Sequence, residues 1–145
     1  TCHVYFGQVT GALPDGKRAG ETVSEGISPV QGADRRGPTA ALNSAAKFDH
    51  IKTGGTLLNQ KLTPKLLADE AGIDHFVHLV RGYFSQDAHH IQFNVVTRET
   101  LLDARAHPEK HRDLIVRVAG YSDYFVNLTP ELQREIILRT EQEGF

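Results

Sequence analysis

The sequence contains no methionine and no tryptophan, and its single cysteine is Cys2. One cysteine cannot form a disulfide within the chain, so a reducing compartment such as the cytoplasm is expected. The formal net charge of −2 provides no basic surface for nucleic acid. No apolar run approaches the roughly 20 residues of a membrane-spanning helix. These absences argue against nucleic-acid binding, a membrane span and a disulfide-stabilised fold.

What is present is the composition of a globular protein with one core. Of the 145 residues, 39% are hydrophobic and 23% are charged, which is ordinary for one folded unit. Residues 2–10 are apolar and rich in β-forming types, and they predict a strand already under way. Together with the missing methionine, this start predicts that the chain is a piece of a longer protein.

Proline and threonine mark the predicted helix starts. Pro38 and Pro130 suit the first turn of a helix, where a missing N–H costs nothing. Thr97 can cap another helix, which should end near His107-Pro108 because proline disfavours helix in the preceding residue. A longer helix after Gly72 is predicted to bury one stripe of side chains: Phe76, Val80 and Phe84.

Two segments predict strands. Residues 90–96 alternate in polarity, which places Ile91, Phe93 and Val95 on one face and predicts a half-buried strand. Residues 114–118 form a short apolar strand that leads directly towards Gly120.

Eight histidines raise the question of a metal site, and several lie in close pairs: His75 with His78, His89 with His90, and His107 with His111. The adjacent pair lies in a predicted strand, so its side chains point to opposite faces. A proline interrupts the last pair, and the first lacks nearby carboxylate or cysteine ligands. We therefore predict no metal site. Cys2 is expected to be a small buried apolar residue.

Gly120 alone would suggest only a turn, because glycine adopts positive φ freely. Its surroundings, Arg117-Val-Ala-Gly-Tyr-Ser122, resemble the signature of the glycyl radical enzymes. Further matches follow in order along the chain: GALPDGKRAG (11–20), SEGISPVQGAD (24–34), KTGGTLLNQ (52–60), HHIQFNVV (89–96) and HPEKHRDLIVRVAGYS (107–122). The resemblance therefore covers essentially the whole chain.

The resemblance implies an α/β fold, the C-terminal portion of a ten-stranded α/β barrel, with a radical-bearing loop after a short strand and a C-terminal helix. Residues 1–20 would be the tail of the barrel domain and residues 21–145 the glycine radical domain. Gly120 would store the radical on its α-carbon, and nearby residues would support its loop: Arg117, Tyr121 and Ser122.

The radical chemistry explains the choice of glycine. An α-carbon radical is stabilised in a planar arrangement between an electron-donating amide nitrogen and an electron-withdrawing carbonyl, and a Cβ would crowd that arrangement. Oxygen attacks such a radical and cuts the chain. We therefore expect Gly120 to be buried, with cover from Tyr121, Phe125 and Val126.

The resemblance also implies partners, while the chain itself would bind no cofactor. A radical S-adenosylmethionine activating enzyme with an iron–sulfur cluster would remove hydrogen from Gly120. The radical would oxidise a cysteine in the remainder of the barrel to a thiyl, and the thiyl would abstract hydrogen from a small-molecule substrate. The same part of the barrel would carry a catalytic glutamate. Cys2 is not assigned that role. The intact enzyme is expected to be a homodimer of anaerobic metabolism, located in the cytoplasm or a bacterial microcompartment.

The matching strings are most similar to the branch that holds glycerol and propanediol dehydratases, choline trimethylamine-lyase and isethionate sulfite-lyase. They are less similar to formate acetyltransferase, and Asp87-Ala88 departs from the glycine common in relatives. The branch predicts C–O, C–N or C–S cleavage of a small polar substrate. Two alternatives stay open: a free-standing glycyl radical cofactor subunit that restores a damaged formate acetyltransferase-type enzyme, and an inert interaction module.

Overall fold

The chain forms a mixed α/β structure, which a computed structural model describes for residues 2–145. Thr1, the first residue of the predicted segment 1–20, lies outside the described residues. The α-helices found there, α1 to α5, are Cys2–Val9, Pro38–Ala45, Glu70–Phe84, Arg98–Ala106 and Pro130–Leu138. The strands β1 to β5 are Asn59–Leu62, Gln92–Val95, Ile115–Arg117, Ser122–Tyr124 and Glu141–Gln142. Short 3-10 helices occupy Pro64–Leu67, Pro108–Lys110 and Phe125–Asn127.

The first segment is helix α1, so the strand predicted for residues 2–10 is wrong. His3, Val4 and Gly7 are its buried residues, and offsets of one and four residues define a helical face. Gly7 permits close packing on the following segment, because a Cβ there would lie 2.3 Å from the carbonyl oxygen of Glu21. This tertiary contact outweighs the weak strand preference of a short apolar run.

The predicted helix starts at Pro38, Thr97 and Pro130 are confirmed. The hydroxyl of Thr97 accepts a hydrogen bond from the backbone N–H of Thr100 at 3.1 Å, which satisfies a free donor of the first turn. In the long helix α3 the predicted stripe is not the buried one, since Phe76 and Val80 are only half-buried. Tyr83, together with Leu79, is buried, whereas Phe84 is 43% exposed.

The strands form two small sheets. Strand β1 is the centre of a parallel three-stranded sheet of order β2-β1-β5, in which Asn59 pairs with Gln92 and Lys61 pairs with Glu141. Strands β3 and β4 form an antiparallel hairpin with Arg117 opposite Ser122. The loop of that hairpin contains Gly120.

Two apolar clusters stabilise these elements. One joins α4, the hairpin and α5 through Val96, Leu101, Ala104, Val116, Val118, Phe125, Leu128, Ile136 and Ile137. The other joins α2 and α3 through Leu42, Ala45, Leu58, Leu79, Tyr83 and Ala88. Within residues 2–145, no helix combines the length and apolar character needed to cross a membrane.

The buried face of β2 is polar, opposite to the prediction. Gln92 and Asn94 are 6% and 5% exposed, whereas Val95 is 45% exposed; Phe93 is half-buried. The polar face lies against the backbone of the β3–β4 hairpin and hydrogen-bonds to it, which compensates for loss of water. Strand β2 thus carries the side chains that fasten the glycine-bearing loop.

Candidate radical site

Gly120 lies at the tip of the β3–β4 hairpin. The N–H of Val118 donates to the carbonyl oxygen of Tyr121 at 2.9 Å and closes the loop. Gly120 has φ of 77°, in the left-handed region that glycine adopts without a steric cost. Among the described residues, a Cβ at this position would meet only Leu57 Cδ1 within 4 Å, at 3.8 Å. Backbone conformation, not crowding, therefore favours glycine here.

Gly120 is exposed in this chain, contrary to the burial that we expected. Phe125 is fully buried in the apolar cluster, and Val126 is half-buried. Tyr121 remains 37% exposed. The hairpin directs Val116 and Val118 into the core, and the tip of its loop is left uncovered by Tyr121, Phe125 and Val126.

Asn94 hydrogen-bonds to both backbone groups of Arg117, the last residue of β3. Its Oδ1 accepts from the N–H of Arg117 at 2.7 Å, and its Nδ2 donates to the carbonyl oxygen of Arg117 at 2.8 Å. Both amide atoms of Asn94 are thereby used, so the side chain has one defined orientation. The strand that leads to Gly120 is held in register with β2.

Arg139 also hydrogen-bonds to the backbone of Arg117 and Val118. Its Nη2 donates to the carbonyl oxygen of Val118 at 2.8 Å, and its Nη1 donates to that of Arg117 at 3.1 Å. Asn59 adds a bond from Nδ2 to the Val118 carbonyl at 3.2 Å. We call Asn59, Gln92, Asn94 and Arg139 the polar clamp, because together they bind the backbone just before Gly120.

Gln92 is the member of the polar clamp that reaches Gly120 itself. Its Oε1 accepts from the N–H of Gly120 at 3.2 Å and from Nε of Arg117 at 2.8 Å. Its Nε2 donates to Oδ1 of Asn59. One side-chain amide thus joins β1, β2 and the glycine loop.

The residues predicted to support the loop lie around Gly120. Nη1 of Arg117 donates to Oγ of Ser122 at 3.3 Å across the hairpin. Tyr121 contributes its carbonyl oxygen to the loop-closing bond with Val118. The sequence pattern predicted these three residues but missed the polar clamp. The signal that was available is the repeated polar residue at alternate strand positions, Asn59 in β1 and Gln92 and Asn94 in β2.

A buried charge network supports Arg139. Its Nη2 lies 3.1 Å from Oε1 of Glu25 and 2.8 Å from Oε2 of Glu135, and all three side chains are at most 9% exposed. Burial raises the pKa of Glu25 above its ordinary value, because the Arg139 charge does not fully compensate. Burial also acts to raise the pKa of Glu135, but the His3 hydrogen bond and the Arg139 charge outweigh it and lower the pKa.

One cluster in the described residues has the geometry of a metal site. Ligand atoms of His3, Glu25 and Glu135 lie within 4.8 Å of one another. Arg139 already hydrogen-bonds to both carboxylates, so a cation would have to compete with it for these oxygens. The network is therefore better described as an ion-paired support, and the prediction that the chain holds no metal remains a prediction.

Two other sequence expectations concern cysteine and histidine. Cys2 is exposed, so its predicted burial is wrong. His107 and His111 converge on Asp103, with nitrogen–oxygen distances of 2.8 and 2.6 Å. Hydrogen bonds from His111 and His107 lower the pKa of Asp103. Asp103 and His107 are exposed, and His111 is half-buried.

Fold and site define an α/β protein with a left-handed glycine at the tip of a hairpin whose backbone is held by buried polar side chains. Comparison with known proteins agrees: the family described as glycine radical matches residues 23–126. This chain belongs to the glycine radical family. The α/β fold expected for that family is confirmed.

Individual relatives match over nearly the whole chain. The chain is 58% identical to trans-4-hydroxy-L-proline dehydratase of Clostridioides difficile over 98% of its own length and 18% of the relative's. It is 42% identical to isethionate sulfite-lyase of Oleidesulfovibrio alaskensis, over 99% and 18%. The glycerol-bound B12-independent glycerol dehydratase of Clostridium butyricum superposes with a TM-score of 0.93 at 49% identity, over 98% and 18%. The chain therefore spans about a fifth of these relatives.

Proposed function

We propose that this chain stores a radical on the α-carbon of Gly120 as part of a glycyl radical lyase or dehydratase. The observation that carries the proposal is the placement of Gly120. It sits at an open loop tip in a left-handed conformation, with the preceding backbone immobilised by buried amides and Arg139. A radical centre needs such a fixed frame, because small displacements of the reacting atom cost large factors in rate.

The remainder of the enzyme would supply the cover and the catalytic groups. Gly120 is exposed here, while the relatives are about five times as long as the chain. We infer that a barrel formed by that remainder, with residues 1–20 as its tail and residues 21–145 as the radical domain, closes over the glycine loop. Arg117, Tyr121 and Ser122 would keep the loop shape during closure.

The proposed chemistry begins with two hydrogen-atom transfers at Gly120. An activating enzyme, using S-adenosylmethionine and an iron–sulfur cluster, would remove one hydrogen atom from Gly120. The Gly120 radical would then take a hydrogen atom from a cysteine S–H in the remainder of the barrel, which restores glycine and leaves a thiyl. That thiyl would take a hydrogen atom from a small polar substrate, which restores the S–H and leaves a substrate radical. With a nearby glutamate as base, that radical would eliminate its leaving group by cleavage of a C–O, C–N or C–S bond.

The proposed radical role of Gly120 also indicates where and under what conditions the enzyme would work. Because oxygen destroys such a radical, the enzyme would serve anaerobic metabolism in the cytoplasm, with a bacterial microcompartment as a further site. A homodimer of the full-length protein is part of the proposal.

The test uses a chimera in which this chain replaces the matching segment of the C. difficile trans-4-hydroxy-L-proline dehydratase. The chimera is treated anaerobically with that dehydratase's activating enzyme and S-adenosylmethionine, and its electron paramagnetic resonance spectrum is recorded. We expect a glycyl doublet and dehydratase turnover. Both should disappear in Gly120→Ala.

Gly32→Ala is the matched control. Gly32 also has a left-handed φ, 80°, and its added Cβ would meet nothing described within 4 Å. It therefore imposes a similar backbone strain outside the β3–β4 hairpin, and its doublet should persist. A doublet that survives Gly120→Ala would refute the assignment, and an inert module would give no doublet in any variant.

A further inference from the structure

Gln92 contacts the amide nitrogen that is bonded to the α-carbon of Gly120. The separation between Gln92 Oε1 and that nitrogen is 3.2 Å, a normal hydrogen-bond length. Gln92 is only 6% exposed, so water does not replace this acceptor readily. A buried acceptor therefore sits beside the position of the proposed radical.

The orientation of the Gln92 amide is fixed by its four neighbours. Oε1 faces two donors, Gly120 N–H and Arg117 Nε at 2.8 Å. Nε2 faces two acceptors, Oδ1 of Asn59 and, more weakly at 3.5 Å, the carbonyl oxygen of Val118. Rotating the amide by half a turn would set donors against donors. The Oε1 atom of Gln92 therefore faces the N–H of Gly120.

We propose that Gln92 is a catalytic residue that stabilises the Gly120 radical by accepting its amide proton in a hydrogen bond. The inference rests on the radical role of Gly120 proposed above. One hydrogen atom leaves the α-carbon when the radical forms, and the amide proton stays on nitrogen. Pulling that proton towards Oε1 enriches the nitrogen in electron density. The nitrogen then donates more strongly into the half-filled orbital of the α-carbon.

The hydrogen bond from Gly120 N–H to Gln92 Oε1 becomes stronger as the radical forms. It therefore shifts the equilibrium between glycine and the glycyl radical towards the radical. Delocalisation leaves positive character on the amide nitrogen, which makes its N–H a better donor than in ordinary glycine. Only an interaction that strengthens on going to the reactive state favours that state. A gain worth about tenfold in the radical equilibrium corresponds to about 1.4 kcal/mol. Charged Arg117 on the same Oε1 limits the effect, because it competes for the acceptor.

Asn94 provides a matched comparison for a purely structural role. It lies two residues further along the same strand, on the same buried face, and binds the hairpin through two hydrogen bonds to Arg117. Among its hydrogen bonds in the described residues, none reaches Gly120. Loss of Asn94 should loosen the hairpin without altering the electronic surroundings of the glycine nitrogen.

The test compares Gln92→Met, Gln92→Glu and Asn94→Ala in the chimera. Before activation, amide deuterium exchange is followed for the peptide that contains Gly120. After activation, the spins per chain and the hyperfine splitting of the glycyl doublet are measured, with and without ¹⁵N labelling of glycine. Circular dichroism checks that each variant is folded.

Gln92→Met should speed exchange at Gly120, lower the spins per chain about tenfold and change the ¹⁵N coupling. Gln92→Glu retains an acceptor oxygen and should recover most of the radical. Asn94→Ala should leave the ¹⁵N coupling unchanged. No doublet in the unaltered chimera would overturn the proposed function and this inference with it. A doublet whose yield and coupling Gln92→Met leaves unchanged would overturn the role of Gln92 alone.

Discussion

Replacing Arg139 by methionine should destabilise the chain severely, because it removes the centre of the buried charge network. The side chain is 8% exposed and gives hydrogen bonds to two carboxylates and two backbone carbonyls. Methionine matches much of its length but no charge. The variant would leave Glu25 and Glu135 buried without a cation.

The free-energy cost of Arg139→Met follows from the interactions that each partner of Arg139 loses. Removing one partner of a buried ion pair costs about 3–5 kcal/mol. The carbonyls add little, since those of Arg117 and Val118 keep bonds from Asn94 and Asn59. For a chain of this size, such a loss lowers the melting temperature by roughly 10–15 °C. Neutralising all three members together should cost less than Arg139→Met alone, because no unpaired charge remains.

The assay is thermal and urea unfolding of the chain by circular dichroism. Arg134→Met is the control, since Arg134 lies on the same helix and is exposed; its effect should stay within about 0.5 kcal/mol. A loss below about 1 kcal/mol for Arg139→Met would refute the reasoning. So would a triple variant, with Glu25→Gln and Glu135→Gln added, that is less stable than Arg139→Met.

Three further predictions concern Gly120 and Glu135. Gly120→Ala should cost about 1–2 kcal/mol in urea unfolding, because the strain is only that of a left-handed φ; a much larger loss would mean that the site is crowded. The carboxyl of Glu135, followed by ¹³C NMR, should titrate below 4.5. Folding then favours its ionised form, so its contribution to stability is complete above pH 4.5 and is lost as the pH falls through the folded pKa; titration above 4.5 would contradict this. Admitting air to the activated protein should cut the chain at Gly120 into pieces of about 119 and 26 residues, which mass spectrometry would detect; an intact chain would contradict the radical position.

Local sequence signals predicted the helices correctly where a proline or a capping threonine marks the first turn. Pro38, Thr97 and Pro130 begin helices as expected, because proline geometry and threonine capping act within one turn. Helix α1 was missed, because its shape depends on contact between Gly7 and a later segment. Short segments follow tertiary contacts more than intrinsic preference.

The sequence pattern singled out Gly120, whose radical role stays a prediction, and it missed the side chains that hold the backbone of its loop. Alternation in residues 90–96 showed correctly which residues share a face, but periodicity cannot tell which face the rest of the chain will cover. The hairpin covers the polar face, so Gln92 and Asn94 are the buried residues. Glu135 and Arg139 form an i,i+4 pair, but Glu25 lies 114 residues from Arg139, and no local pattern links it to them.

The composition of the polar clamp has a consequence for how long an unpaired electron would survive. Among the described residues, the side chains that hydrogen-bond to the backbone from Arg117 to Gly120 are carboxamides and a guanidinium. Their N–H bonds are far harder to break homolytically than the S–H of a thiol or the O–H of a phenol. The side chains of the polar clamp are therefore poor hydrogen-atom donors, and they would not quench a radical on the backbone that they hold.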